Sequence, residues 1–291
     1  MIAFTLIVIR FAMFDAFNVQ VALQPLGYAL LIAATLLIAA GGYIINDIED
    51  QTTDAVNRPN SRVIGKSISA DAGFKLYAFL TILGVVLGFV VANGVGSPAL
   101  AAVFIITAFV LYLYSMSLSQ MLLVGNFVVS LIVGLTVLLP AIFDVYPSLN
   151  DENRGFHVGI VKLLAEFAIF AMAITFAREL VKDLQDMNGD YKQGRSTLPI
   201  VLGEKRAKHV TAVVIGLVAL SVFWYIYDSL TDILQLTAYM LFAVAAPILV
   251  ALLMLLRDDR KYGNASLSLK VAMLTGTGFL ILLALRAYGL V

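Results

Sequence analysis

The chain has 291 residues, of which 61% are hydrophobic and 13% charged, with a mean hydropathy of +0.96 and a formal net charge of zero. Soluble domains carry about 25% charged residues, so a water-soluble globule is excluded, and a neutral chain has no general attraction for nucleic acid. There is no cysteine, which excludes disulfides, thiolate catalysis and Cys-ligated metals.

Apolar runs over 2–14, 27–45, 76–93, 98–115, 121–143, 159–180, 210–228, 233–256 and 268–288 predict nine membrane-spanning helices. The first is short for a bilayer about 30 Å thick. It is interrupted by Arg10 and lacks a basic start and a small-residue cleavage site, so it does not read as a signal peptide. Pro98, Pro140 and Pro247 are tolerable, because neighbouring helices can satisfy freed backbone groups. The two histidines, His157 and His209, stand far apart in what read as loop or boundary positions, so they make no metal pair. The expected fold is all-α: a multi-pass transmembrane bundle of about nine helices in one membrane-embedded domain. Its two pseudo-repeated halves would cover about 1–143 and 144–291.

Between the runs, charge is distributed unevenly. Arg58, Arg62 and Lys66 follow the second run. Lys182, Lys192, Arg195, Lys205, Arg206 and Lys208 follow the sixth, and Arg257, Arg260 and Lys261 the eighth. The odd-numbered loops are poor in Lys and Arg and carry Asp144, Asp151, Glu152, Asp228 and Asp232. Lys and Arg mark the cytoplasmic side, so the even-numbered loops face the cytoplasm of a cell (inner) membrane.

Two of those loops begin with aspartates. Asp47, Asp50 and Asp54 end the second run, with Asn46 at the edge of the same face; steps of three and four residues keep them together on a helix. Asp183, Asp186 and Asp190 end the sixth run, each 136 positions after its counterpart. A basic element follows each cluster, Gly65-Lys66-Ser67 and Gly194-Arg195-Ser196. Such duplication suggests two related halves with a site between them. Solvated acidic residues capping a helix would explain one cluster, but not two of identical spacing.

Three carboxylates on one face repel unless a cation neutralises them. Oxygen-only ligands suit magnesium or calcium and not zinc, and magnesium is usually held by one or two carboxylates plus substrate phosphates. Two facing clusters could therefore grip a diphosphate through metals, with Lys66, Lys182 and Arg195 meeting the remaining phosphate charge. Arg178 and Glu179 are costly within lipid and should pair or line the cavity. Tyr43, Tyr112 and Tyr114 could present their rings to a cation.

The pattern Asn46-Asp47-x-x-Asp50-x-x-x-Asp54 resembles the first signature of the UbiA superfamily of intramembrane prenyltransferases, and Asp183-x-x-Asp186-x-x-x-Asp190 resembles the second. The resemblance covers nearly the whole chain, including Tyr112-Leu-Tyr114-Ser115. It implies a helical bundle that binds an isoprenyl diphosphate with Mg2+, its headgroup toward the cytoplasm. Asn46, Asp50, Asp54, Asp186 and Asp190 would be the metal ligands, with Asp47 and Asp183 in support. Arg178-Glu179-x-x-Lys182-Asp183, Thr197-Leu198-Pro199, Gly65-Lys66-Ser67-Ile68-Ser69 and Leu123-Val124-Gly125-Asn126 look like the branch that makes archaeal-type ether lipids. That branch implies a geranylgeranyl donor and a geranylgeranylglyceryl phosphate acceptor, with Asn126 among the substrate contacts and a use for Arg178 on the acceptor's phosphate. The chain departs from the pattern twice. Arg10-Phe-Ala-Met stands where an Arg-Pro-x-Asn element is expected, and Ser119 stands where a Lys would meet the diphosphate.

Other classes fit less well. A transporter would explain nine spans and a repeat, but its site would lie near the midplane and not at one face. A CDP-alcohol phosphotransferase needs Asp-Gly where Asp54 is followed by Ala55. Within the resemblance, an aromatic acceptor of quinone synthesis is the main alternative.

Overall fold

In a computed structural model, residues 1–57, 60, 62–257 and 261–290 are described. Arg58 and Arg260, counted above for orientation, lie outside them. The chain is an all-α, multi-pass bundle, and among the described residues there is no β-strand, only an isolated bridge between Ile64 and Ile68. Among the described residues, eight helices are long and apolar enough to cross a membrane, and Ile2–Phe14 is a shorter apolar one.

In chain order, α1 is Ile2–Val8, continued by a wide turn over Ile9–Phe14; α2 is Pro25–Glu49 and α3 is Gln51–Asn57. Ala70–Gly94 forms α4, Ala101–Met116 α5, Val124–Pro140 α6 and Arg154–Gln193 α7. Leu198–Leu202 is α8, Glu204–Ser229 α9, Leu234–Tyr239 α10, Ala246–Leu256 α11 and Tyr262–Ala287 α12. Pro140 lacks a backbone donor and its ring crowds the preceding turn, and α6 widens into a π-turn over Ala141–Val145 directly after it. Helix α7 does not stop where its apolar run stops. It spans 40 residues, roughly 60 Å at 1.5 Å per residue, twice the thickness of a bilayer core. Its polar last turns therefore project beyond the apolar slab, and they carry the second aspartate cluster.

The apolar core lies in three groups. One joins α2, α4, α5 and α6 through Leu31, Val91, Phe104 and Leu139; another joins α7, α9, α11 and α12 through Leu180, Ile215, Ile248 and Leu269. The third places Ile9, Met13 and Phe14 against Ile160 and Leu164 of α7 and Leu280 of α12. In each, burial is largest along one stripe of the helix, while Phe79, Ile82, Phe109, Leu217 and Trp224 point outward, as lipid-facing positions should.

The end of the bundle remote from the clusters is held by buried polar contacts. Asp144 has no exposed surface; it accepts from the Leu23 N–H at 2.8 Å and pairs with Arg10 Nε at 3.3 Å. Arg10 also pairs with Asp15 at 3.0 Å. His157 is not a loop residue: it is buried in the first turn of α7, its ring nitrogens each 3.0 Å from the carbonyls of Gln20 and Asn153. These contacts fasten the segment between α1 and α2, whose own backbone has few helical partners.

Candidate functional site

The first aspartate cluster does not ride on one continuous helix. Asp47 is in the last turn of α2, Asp50 is its C-cap at φ −86° and ψ 6°, and Asp54 is in α3. The kink keeps the helical hydrogen bonds Asp50 N–H to Asn46 O and Asp54 N–H to Asp50 O, both 2.8 Å. The second cluster sits on uninterrupted α7. Equal spacing in sequence thus serves two different backbones.

Helix α3 lies across the end of α7, where α7 has a glycine. The Asn57 side chain donates to the Asp186 carbonyl at 2.9 Å and accepts from the Gly189 N–H at 3.0 Å. A Cβ at Gly189 would lie 2.4 Å from Asn57 Nδ2 and 2.7 Å from Thr53 Cγ2. Any Cβ here would force the Asn57 side chain or α3 itself to shift. Gln193 adds a hydrogen bond to Thr52. Asn57, Thr53 and Gly189 are not among the candidate ligands, and their sequence signal is slight: two polar residues four apart, one within the first cluster and one just after it, and a glycine inside a strongly helical stretch.

Across this contact the two clusters converge on one cation. Arg195, buried after the left-handed Gly194 cap of α7, pairs with Asp50 and lies 3.8 Å from Asp190. Its Nε donates to Gln193 Oε1 at 2.9 Å, and the other carboxylate oxygen of Asp50 accepts from Asn46 at 2.7 Å. The loop between α5 and α6 closes over this region, with the Ser196 N–H donating to Gln120 O at 3.0 Å. Ser119 in that loop has a buried hydroxyl without a hydrogen-bond partner among the described residues.

The remaining expected residues are placed as follows. Asn126 of α6 donates to Asp183 Oδ2 at 2.9 Å, so its amide is engaged by a carboxylate. Residues 112 and 114, two apart on α5, diverge by about 200°, so both cannot face one cavity. Tyr114 is the one within electrostatic reach of Asp50, Asp183, Glu179 and Arg195. Tyr112 instead stacks on Tyr77 of α4, centroids 6.4 Å apart. Tyr43 is 71% exposed and points away from the bundle. Lys66 is exposed on the turn after α3, whose Gly65 abuts Gln51, beside Asp50. Arg178 and Lys182 both pair with Glu179. Arg10 is built into the remote end described above. A cleft of about 560 Å³ lined by Asn188, Tyr191, Lys192 and Glu204 opens beside α7. Asn188 and Lys192 point about 140–180° away from Asp183 on the helix, so this cleft is not the space between the clusters.

Among the described residues no three carboxylates or histidines lie close enough to hold an ion unaided. The donor set still fits magnesium. Every candidate ligand is an oxygen, one or two carboxylates plus phosphate oxygens suffice, and a guanidinium already takes up a cation's place between Asp50 and Asp190.

The sequence profile of the UbiA prenyltransferase family matches residues 5–275. The chain is 32% identical over 263 residues to a digeranylgeranylglyceryl phosphate synthase of Methanobrevibacter smithii, covering 89% of this chain and 86% of that one. It is 30% identical over 198 residues to the protein of that name from Methanosphaera stadtmanae, covering 66% of this chain and 65% of the relative. With that relative, as with the one from Thermococcus kodakarensis at 59%, the match spans slightly less than two thirds of the relative's length. Two solved structures share the fold. A UbiA homolog from Aeropyrum pernix K1, solved in the apo state, superposes with a TM-score of 0.69 at 14% identity, covering 99% of each chain. A structure from work on digeranylgeranylglyceryl phosphate synthase in membranes superposes with a TM-score of 0.64 at 23% identity, covering 98% of this chain and 92% of that one.

Proposed function

Because the chain belongs to the UbiA prenyltransferase family and is a prenyltransferase of integral membrane architecture, we propose that it transfers a geranylgeranyl group from its diphosphate to geranylgeranylglyceryl phosphate, in ether-lipid synthesis. The observation that carries this reading is the convergence of Asp50 and Asp190, from two different helices, on the single guanidinium of Arg195. A polyanion with its counter-ions fits there. The relatives that carry the synthase name support this choice of acceptor.

Asp50, Asp54, Asp186 and Asp190, with Asn46, would hold magnesium, and Asp47 and Asp183 would support them. Bound there, it would supply Lewis-acid stabilisation of the charge that develops on the departing diphosphate. Arg195, released from the carboxylates, meets a phosphate oxygen. The allylic C1–O bond breaks, the acceptor's free hydroxyl oxygen bonds to C1, and the hydroxyl proton leaves with the diphosphate. Apolar walls keep water from the allylic cation, and the Tyr114 ring lies where it can face that charge. The Lys and Arg bias of the loops puts this mouth on the cytoplasmic side of the cell membrane.

The test is turnover of labelled geranylgeranyl diphosphate by purified protein, with geranylgeranylglyceryl phosphate or an aromatic acid as acceptor. Product with the glyceryl phosphate and none with the aromatic acid is expected; the reverse would overturn the assignment.

A further inference from the structure

The faces of α2 and α5 that meet the aspartate region continue deeper into the bundle. On α2, Ala39 and Thr35 fall within about 20° of Asn46, and on α5 Leu111 falls about 60° from Tyr114, whose phenol is within electrostatic reach of Asp50 and Asp183. Between the two levels Leu111 packs on Gly42, where an added Cβ would stand 3.0 Å from Leu111 Cδ1. Thr35, Ala39 and Leu111, with Thr136 and Leu139 of α6 and Ile2 of α1, line a cavity of about 50 Å³.

The chemistry of this cavity suits hydrocarbon and not water. The Thr35 and Thr136 hydroxyls donate to the carbonyls of Leu31 and Ile132 in their own helices, at 2.8 and 3.0 Å. Their donors are taken, and a buried water needs about two to four polar partners. An empty apolar space in a core forfeits packing, unless a hydrocarbon fills it. The end remote from the aspartates is closed by Phe104, which is 3% exposed. Its ring centroid is 5.3 Å from that of Phe143, and it lies against α4 at Gly88, where an added Cβ would stand 2.3 Å from Phe104 Cδ2. A ring held from two sides makes a stiff wall.

The depth matches a chain of defined length. Asp50 stands 11 residues from Ala39 and 15 from Thr35, roughly 16 and 22 Å of helix. An extended isoprenoid gains roughly 5 Å per unit from its four chain bonds of about 1.5 Å each, so three, four and five units reach about 15, 20 and 25 Å. With the diphosphate at the aspartates, the fourth unit ends in the cavity, a third stops at its entrance, and a fifth meets Phe104.

We infer that this cavity receives the last isoprene unit of the donor, and that Phe104, seated in the notch at Gly88, is the end wall that sets the length of the chain transferred. This rests on the reading of the donor as geranylgeranyl diphosphate.

The full chain in lipid nanodiscs, with magnesium and geranylgeranylglyceryl phosphate, is assayed with farnesyl, geranylgeranyl and geranylfarnesyl diphosphate, of three, four and five units. The wild type should show its highest kcat/KM with four. Phe104→Leu opens the wall and should raise the five-unit to four-unit ratio of kcat/KM at least about 10-fold, the discrimination that one misfit methylene gives in an apolar pocket. Leu139→Ala, which enlarges the cavity from α6, should shift the ratio the same way. Gly88→Ala drives the ring off α4 toward the free space beside it, and should raise the three-unit to four-unit ratio by a similar factor. Ile105→Ala, next in sequence but 53% exposed on the outside of the bundle, should leave every ratio unchanged. Thermal unfolding checks each fold; should Phe104→Leu fail to fold, Leu139→Ala decides. If the folded enlarging variants keep the wild-type ratios, the cavity is a packing fault, and the inference fails while the proposed reaction stands. A wild type equally fast with all three donors, or fastest with three or five units, also overturns the inference. A wild type that transfers none of them overturns the proposed reaction, and this wall with it.

Discussion

Gly189→Ala should damage catalysis more than it damages the fold. A Cβ there would stand 2.4 Å from Asn57 Nδ2 and 2.7 Å from Thr53 Cγ2, about 1 Å inside ordinary contact. Two responses are open. Asn57 can rotate away, giving up its hydrogen bonds to the Asp186 carbonyl and from the Gly189 N–H, worth roughly 1 kcal/mol each. Alternatively α3 can withdraw from α7 by about 1 Å. Against either loss, alanine gains about 1 kcal/mol over glycine inside a helix. The net destabilisation is therefore about 1–2 kcal/mol. A shift of α3 by that distance carries Asp54 away from Asp186 and Asp190, and a misplacement of about 1 Å in a reacting geometry can cost around 100-fold in rate. The expected result is a 10- to 100-fold lower kcat in nanodiscs, with thermal unfolding lowered by only a few degrees. Adding Asn57→Ala to Gly189→Ala should recover part of the rate, because it removes the nearer clash; the interaction is read from the double-mutant cycle. A Gly189→Ala protein that turns over within twofold of wild type would refute the idea that the α3–α7 spacing sets the site.

Excess EDTA should abolish prenyl transfer and added magnesium should restore it; transfer at full rate in the chelator would remove the metal from the mechanism. Asp50→Ala and Asp186→Ala should each cost most of the turnover while the protein remains folded and inserted, and near-normal rates in either would sink the two-cluster arrangement. Arg10→Met should do the opposite. It leaves the buried Asp144 carboxylate with the Leu23 N–H but without its cationic partner, at a cost of about 3–5 kcal/mol, visible as a lower unfolding temperature. KM for the diphosphate should not change, since Tyr28, which lies beside Arg10, is 22 residues and roughly 33 Å of helix from Asp50. For orientation, single cysteines in this Cys-free chain at Lys66, Asn188 and Asn264 should react with an impermeant thiol reagent only after cell lysis. Those at Asn150 and Ser229 should react in intact cells. Labelling of 66 and 188 from opposite sides would rule out a shared diphosphate site.

Much of this protein is legible along the chain because the deciding physics is local. Lipid demands apolar runs whose length matches the bilayer, so the nine runs and their order follow from hydropathy, and the structure realises them as eight long helices and one short one. The aspartates stand out because carboxylates three and four apart at the end of an apolar run have few other uses, and the repeat at 136 positions is visible without coordinates. The steps of three and four between Asp183, Asp186 and Asp190 already carry α7 past its apolar run, and it continues to Gln193; the break of the first cluster at Asp50 was hidden, because periodicity does not show where a helix is interrupted between like-spaced residues. What only the tertiary structure decided depends on which helices become neighbours. Tyr112 stacks on Tyr77 while Tyr114 lies in the field of Asp50 and Asp183, Asn57 grips α7 across 132 residues of chain, and Asn126 serves Asp183 and not open space. Arg10 answers Asp144 at the far end of the bundle, and Glu179 gathers two cations that in sequence look like separate contacts. Each is a choice between partners that helical periodicity leaves equally open, and it is settled by burial: once the apolar faces are packed, every polar group caught between them must take the partner within reach.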